Sequence, residues 1–512
     1  MQKTFRQKFK AIKNVTNQLG RTVLGFGEKH WLLATWLVVG IFTVVTLMIG
    51  MQQSIWFDEA YSINLAKHSI NDLINLTAID VHPPAYYIFL HFWGGIFGFG
   101  ELSLRLSSIL LMALAILLMS VLVKNLLGKK IAILSTLFVG LSPMIVRYGF
   151  EIRMYAMATM FSVLASLILV KTERERRKTK RRVLQFCYAG IVTLSMLTLY
   201  YTIIIWATHF CYLIYRTIKT RKSLVRQEFW LVYLLAVIMF LPWGVVAIKQ
   251  FTNGALAQIS EPLTLINLLG VFSFNMLYSP IWQLGQIDGL LILVLIILVG
   301  YTIMKLLQSG FCLRGKTEVD FLIFLAVAPI VIEFLICLIK PMYVERYLVY
   351  SAPFLIAVLV YLFYGKGWMP TGRGFRLGFM FILIIIGLIS LNRVGNFNFQ
   401  RMQRADVKEV AEELRTQKLP ILADSPYEAM ELGYYLGEVY FYAPYETLRG
   451  GYAPFDKSSF KIATSADFKK FTCLNYAHYS ANLGHVLSEN GFQSKEKDGG
   501  ETTLKYTTMC KK

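Results

Sequence analysis

Up to about residue 392, this 512-residue chain is a succession of apolar runs, most close to 20 residues long and separated by short polar stretches. A helix of about 20 residues crosses ~30 Å of hydrocarbon, and it satisfies its own backbone polar groups while doing so. No other feature limits the fold as strongly. Runs near 31–51, 104–124, 131–147, 153–171, 183–200, 202–216, 229–248, 288–305, 319–339, 347–364 and 378–392 predict an all-α polytopic membrane protein with about eleven transmembrane helices. The shorter "AYYIFLHFWGGIFGFG" at 84–99, aromatic and glycine-rich, predicts a helix lying in the interface. With 56% hydrophobic and only 16% charged residues, the chain is excluded from the soluble class, where about a quarter of residues are charged.

Residues 1–30 are basic. The run that follows is too long for the core of a signal peptide and ends without an A-x-A site, so it reads as an uncleaved first span. Lys and Arg gather in alternate loops, most densely in "KTERERRKTKRR" at 171–182. The positive-inside rule then places the N-terminus in the cytoplasm, and an odd number of spans places the C-terminus outside. The excess of 52 Lys+Arg over 31 Asp+Glu, net +21, is a topology signal facing anionic membrane lipid. It does not mark a nucleic-acid partner, because the bases are scattered over short loops.

Near 392 the composition turns polar and the pattern alternates helix and strand. "RADVKEVAEELRTQ" (404–417) and "YEAMELGYYLG" (427–437) read as helices, and "LPILADS" (419–425), "EVYFYAP" and "TTLKYTTM" as strands. The organisation expected is therefore a basic cytoplasmic segment (1–30), a membrane domain (31–392) and an extracytoplasmic α/β domain (393–512). The aromatic run at 434–455 suits either core packing or stacking on sugar rings. Cys473 and Cys510 both fall in this domain, which leaves a disulfide between them open, and no C-x-x-C pair suggests a zinc site.

Polar residues concentrate where the outer loops are expected. "WFDEAY" sets Asp58 beside Glu59 just past the first run, and "AIDVHPP" sets Asp80 and His82 before two prolines. An interfacial turn accounts for the aromatics, but poorly for so many acids. A carboxylate can act as general base toward a hydroxyl. The prolines stiffen the second segment in extended form, so Asp80 and His82 share a face. Asp58, Asp80 and His82 are the candidate ligands should a divalent cation be used; no other cofactor is indicated. Arg105, Arg147, Arg153 and Arg346 stand on the same side, beside Glu151 and Glu345. Each alone could snorkel to headgroups. Four of them against the positive-inside bias are better explained by an anionic lipid head group, whose phosphate oxygens match the guanidinium fork. Together these residues suit transfer of a sugar from a polyprenyl phosphate: the arginines stabilise the departing phosphate, and a carboxylate accepts the proton of the attacking hydroxyl.

On these residues the chain resembles the GT-C superfamily of polytopic glycosyltransferases. Within it, the chain is most similar to glycosyltransferase family 39, the protein O-mannosyltransferase and aminoarabinose transferase group. Asp58-Glu59, Asp80-Val81-His82-Pro83-Pro84, Arg105, "RMYA" (153–156) and "ERYLVYSAP" (345–353) carry the likeness. The resemblance implies inverting transfer with Asp58 as base and Glu59 beside it in the catalytic pair. It implies Arg105, Arg153 and Arg346 on the donor phosphate, and Asp80 and His82 at an acceptor or metal site. The partners implied are a polyprenyl-phosphate sugar, a cell-envelope glycan, glycolipid or wall polymer, and the lipids of a bacterial plasma membrane. Val81-His82 stands where the aminoarabinose enzymes carry Glu-Lys, so their lipid A acceptor is not implied. The alternative is a transporter or flippase for a lipid-linked sugar. It predicts related halves and broken helices near the midplane, neither of which the sequence shows clearly.

Overall fold

A computed structural model of the chain describes residues 25, 27–220, 229–252, 300, 317–339, 344–364, 388, 406–442, 461–479, 483–494 and 504–511. Among the described residues, the apolar runs form helices. The first, α1 (Trp31–Met51), buries Thr35, Val39, Phe42, Thr46 and Gly50 at helical spacing and exposes Leu33, Leu37, Ile41, Val44 and Met48. One stripe meets the protein and the other suits lipid. Three short helices follow: α2 (Phe57–Lys67), α3 (Ile70–Ile79) and α4 (Ala85–Phe97). Ser69 caps α3 by accepting the Asp72 amide. With 13 residues, α4 is too short to cross a bilayer.

The long helix α5 (Glu101–Leu127) packs against α1, against α6 (Lys129–Gly140) and against α8 (Tyr155–Arg174). The run expected as a single span at 131–147 is broken: α6 and α7 (Pro143–Phe150) meet at 61°. Pro143 explains the break, since it has no amide to continue α6 and its fixed φ suits the first turn of a new helix. α8 is buried on nearly every side and runs from the Arg153 turn to the basic stretch at 171–182, about 30 Å by helical rise. Next come α9 (Lys178–Met196), α10 (Ile203–Thr220), α11 (Phe229–Thr252) and α12 (Thr317–Ile339). A 3-10 turn over Glu345–Ser351 then leads into α13 (Ala352–Tyr364). Among the described residues, five helices are long and apolar enough to cross a membrane alone, and the bent pair makes a sixth. The chain is thus a multi-pass membrane protein. Most of the spans expected near 288–305 and 378–392 lies outside the described residues.

The polar tail folds as expected into helices and a small sheet. In order they are α14 (Asp406–Gln417), β1 (Ile421–Ala423), α15 (Pro426–Leu436), β2 (Tyr440–Phe441), β3 (Lys461–Ile462), α16 (Ser465–Lys470), β4 (Cys473–His478), α17 (Gly484–Glu489), β5 (Phe492–Ser494) and β6 (Lys505–Lys511). The sheet order is β3-β2-β1-β4-β6-β5. The first four are parallel, while β6 runs antiparallel to both β4 and β5. Leu422, Phe468, Leu474, Tyr476, Leu487, Phe492 and Met509 form its core. The β4–β6 register sets Cys473 directly opposite Cys510, and the two form a disulfide. Closing a loop across 37 residues restricts the unfolded chain by about 4 kcal/mol in the chain-entropy model.

The aromatic run of the tail has an unexpected use. Tyr434 donates to the Phe99 carbonyl at 3.2 Å, and Tyr435 accepts the Ile55 amide at 2.7 Å. These two rings join the domain to the membrane helices. Residues 443–455 of the run lie outside the described residues.

Candidate active site

The site forms around the first turn of α2. Trp56 is its N-cap, and Glu59, three residues on, reaches back to accept the Trp56 amide at 3.3 Å. The other Glu59 oxygen accepts from Arg105 Nη1 at 3.1 Å and from the Ile152 amide at 3.0 Å. Glu59 is buried, with both oxygens engaged. Its neighbour Asp58 points elsewhere and keeps 20% of its side chain exposed. The adjacent acids therefore divide their work. Glu59 ties α2 to α5 and to the turn after α7, and Asp58 is the more accessible carboxylate.

Arg105, expected on a donor phosphate, has other partners. Its Nε donates to Glu101 at 3.1 Å and its Nη2 to the Gln53 carbonyl at 2.8 Å; Nη1, besides Glu59, lies 3.4 Å from the Phe150 carbonyl. The residue is completely buried, and all three nitrogens face protein. Gly50 of α1 makes room for it: a Cβ there would sit 2.9 Å from Phe150 Cβ and 3.3 Å from Arg105 Cδ.

Arg153 is placed differently. Its Nη1 donates to Ser62 Oγ at 3.1 Å, to the Tyr87 hydroxyl at 3.3 Å and, more weakly, to the Asp58 carbonyl at 3.4 Å. Its Nη2 meets His82 Nε2 at 3.3 Å, and His82 Nδ1 meets Asp80 at 3.3 Å. A guanidinium only donates, so Nε2 is the acceptor and the Nδ1 proton goes to Asp80. Arg153 Nε has no hydrogen-bond partner among the described residues, and it lies 3.9 Å from Asp58 Oδ2. The structure thus links Asp80, His82, Arg153 and Asp58 in one chain of contacts.

Arg346, in the 3-10 turn, holds its guanidinium 5.8 Å from the Tyr347 ring and feels the charges of Tyr155 and Asp58. The Tyr155 hydroxyl is buried, and neither it nor Arg346 Nε has a hydrogen-bond partner among the described residues. Arg147 pairs with Glu151 at 3.1 Å. Burial pushes the Glu151 carboxyl up from its ordinary range; Arg147 opposes this, while Glu59 and Asp58 reinforce it.

Among the described residues, no three His, Cys, Asp or Glu side chains converge as a metal site. Of the ligand candidates, Asp80 and His82 meet, but Arg153 stands between His82 and Asp58 and occupies the imidazole nitrogen a metal would need. Sequence reasoning missed Ser62, although its spacing of four from Asp58 puts both on one face of α2, and it missed Tyr87. Nothing in the pattern pointed to Glu431, whose Oε1 accepts the Phe57 amide at 2.8 Å.

The model of a protein family described as dolichyl-phosphate-mannose-protein mannosyltransferase matches residues 81–245, which include His82, Arg105, Arg147 and Arg153. No curated protein matches the sequence. Among solved structures, ArnT from Cupriavidus metallidurans bound to undecaprenyl phosphate is similar at a TM-score of 0.60 with 12% identity. The match covers 94% of this chain and 98% of that one. Its apo form matches at 0.61 over the same shares. The apo Archaeoglobus fulgidus oligosaccharyltransferase matches at 0.51 with 11% identity, over 89% of this chain and 70% of that one. Residues 81–245 thus match that family's model, and the chain as a whole shares the fold of the ArnT structure.

Proposed function

We propose that the chain is an inverting glycosyltransferase that moves a monosaccharide from a polyprenyl-phosphate donor to a hydroxyl of a cell-envelope glycan, glycolipid or wall polymer. Its place is the outer face of a bacterial plasma membrane. One observation carries the reading: Asp58, the more accessible carboxylate of the acid pair, lies 3.9 Å from Arg153 Nε, which has no hydrogen-bond partner among the described residues, and Arg346 Nε is a second such donor. Asp58 takes the proton of the acceptor hydroxyl, whose oxygen attacks the anomeric carbon opposite the phosphate. The bond from that carbon to the phosphate oxygen breaks, and the electron pair leaves with the phosphate. Arg153 Nε, Arg346 Nε and the Tyr155 hydroxyl are fixed donors for that charge in a site largely closed to water. Asp80 and His82 act behind Arg153 by orienting its guanidinium. Arg105 and Glu59 are assigned to building the site rather than to contact with the donor.

The disulfide supports a C-terminal domain outside the cytoplasm, since such bonds persist in oxidising compartments. The likeness to a structure that holds undecaprenyl phosphate supports the donor class. Among the described residues, the break between α6 and α7 and the buried Glu333 within α12 are features that a transporter would share. The test is release of undecaprenyl phosphate by purified protein in lipid, from a panel of undecaprenyl-phosphate monosaccharides, in the presence of cell-envelope extract. Wild type should release it, and Asp58→Asn and Arg346→Ala should not. Donor binding without release in wild type would favour transport.

A further inference from the structure

The C-terminal domain reaches the residues beside Asp58 at three successive points. The Lys408 amide donates to Ser54 Oγ at 3.2 Å, the Ile55 amide to the Tyr435 hydroxyl at 2.7 Å, and the Phe57 amide to Glu431 Oε1 at 2.8 Å. The second Glu431 oxygen accepts from Tyr479 at 2.8 Å, so the carboxyl is itself held, and it is buried. The Tyr427 ring packs on Phe57 at 4.5 Å. Phe57 is the first residue of α2, and the first amides of a helix have no partner within it. Glu59 supplies one acceptor from inside α2, and Glu431 supplies the next from another domain.

We infer that Glu431 is a positioning residue for Asp58: by capping the Phe57 amide it fixes the turn of α2 from which Asp58 projects. The inference rests on Asp58 being the base. Glu431 contacts Phe57 and Tyr479, and its hydrogen-bonded route to the turn carrying Asp58 is the Phe57 amide. A base must sit within a few tenths of an ångström of its productive place, and a displacement of about 1 Å can lower the rate about 100-fold. The effect belongs in the chemical step, since the donor-facing arginines sit on other elements.

The experiment measures kcat and donor KM for undecaprenyl phosphate release by the full-length protein in lipid. Glu431→Met keeps the volume but removes the acceptor; Glu431→Gln keeps an oxygen for the Phe57 amide. Glu431→Met should lower kcat tenfold or more with donor KM within twofold of wild type. Glu431→Gln should keep at least a third of wild-type kcat. Unfolding temperature and an intact Cys473–Cys510 bond serve as fold controls. The inference is overturned if Met and Gln variants are equally impaired, if Glu431→Met changes KM rather than kcat, or if it stays within threefold of wild type. Inactivity of Asp58→Asn beside a fully active Glu431→Met removes only the positioning role. Wild-type release by Asp58→Asn removes the base assignment, and this inference with it.

Discussion

Replacing Arg105 by Met separates a building role from a binding role at this site. The substitution keeps an unbranched apolar stem but deletes a guanidinium that contacts Glu59, Glu101 and the carbonyls of Gln53 and Phe150. Glu59 would then stay buried with only the Trp56 and Ile152 amides as donors. Removing one partner of a buried, hydrogen-bonded ion pair costs about 3–5 kcal/mol, chiefly because the other charge is left behind. A pair replaced on both sides by apolar groups is often near neutral. The double variant Glu59→Leu/Arg105→Met should therefore recover stability relative to the single Met variant, with a coupling of about 2 kcal/mol in a double-mutant cycle. Thermal unfolding in detergent reads the stability, and undecaprenyl phosphate release reads activity. Arg105→Met should unfold several degrees lower, while donor KM in the surviving protein stays near wild type. An unchanged unfolding temperature with a tenfold higher donor KM would refute this reasoning and return Arg105 to the phosphate.

Arg153→Lys keeps the charge but loses the fork that reaches Ser62, Tyr87 and His82 together, so kcat for undecaprenyl phosphate release should fall by about 100-fold. Burial pushes the Glu431 carboxyl up to about 8 although Tyr479 donates to it. Between the ordinary carboxylate range and about pH 8 the folded protein therefore holds a proton that the unfolded chain has lost, so stability declines as pH rises through that window. Glu431→Gln should flatten that decline in unfolding temperature between pH 5 and 8, and an unchanged slope would count against it. Cys473→Ser should destabilise the C-terminal domain by about 4 kcal/mol, read as faster proteolysis of that domain under oxidising conditions.

The apolar helices among the described residues, the helix-and-strand character of the tail and the cluster of acids and arginines were legible because each follows from local composition or spacing. The break at Leu141–Ser142 was signalled by Pro143, but hydropathy reads across it as one run. The different fates of Asp58 and Glu59 were not legible, because they depend on what lies across the bundle. Glu59 meets Arg105 and Ile152, which are 46 and 93 residues away in sequence. Two buried arginines also look alike in sequence: Arg105 meets Glu59, Glu101 and two backbone carbonyls, whereas Arg153 meets Ser62, Tyr87 and His82 and leaves its Nε without a hydrogen bond among the described residues. The docking role of Tyr434 and Tyr435 was hidden for the same reason, since aromatic runs have the same composition whether they fill a core or join two domains.

The three ties to Ser54, Ile55 and Phe57 come from residues 354, 380 and 374 positions later in the chain. During synthesis the first helices enter the membrane long before those partners exist. The turn carrying Asp58 is then held by Glu59 and Arg153 but lacks the acceptors for the Ile55 and Phe57 amides. It is completed when α14 and α15 arrive and dock. A chain cut short before α14 would keep its acids and arginines and still lack these three ties, so the final shape of the turn waits on residues made more than 350 positions later.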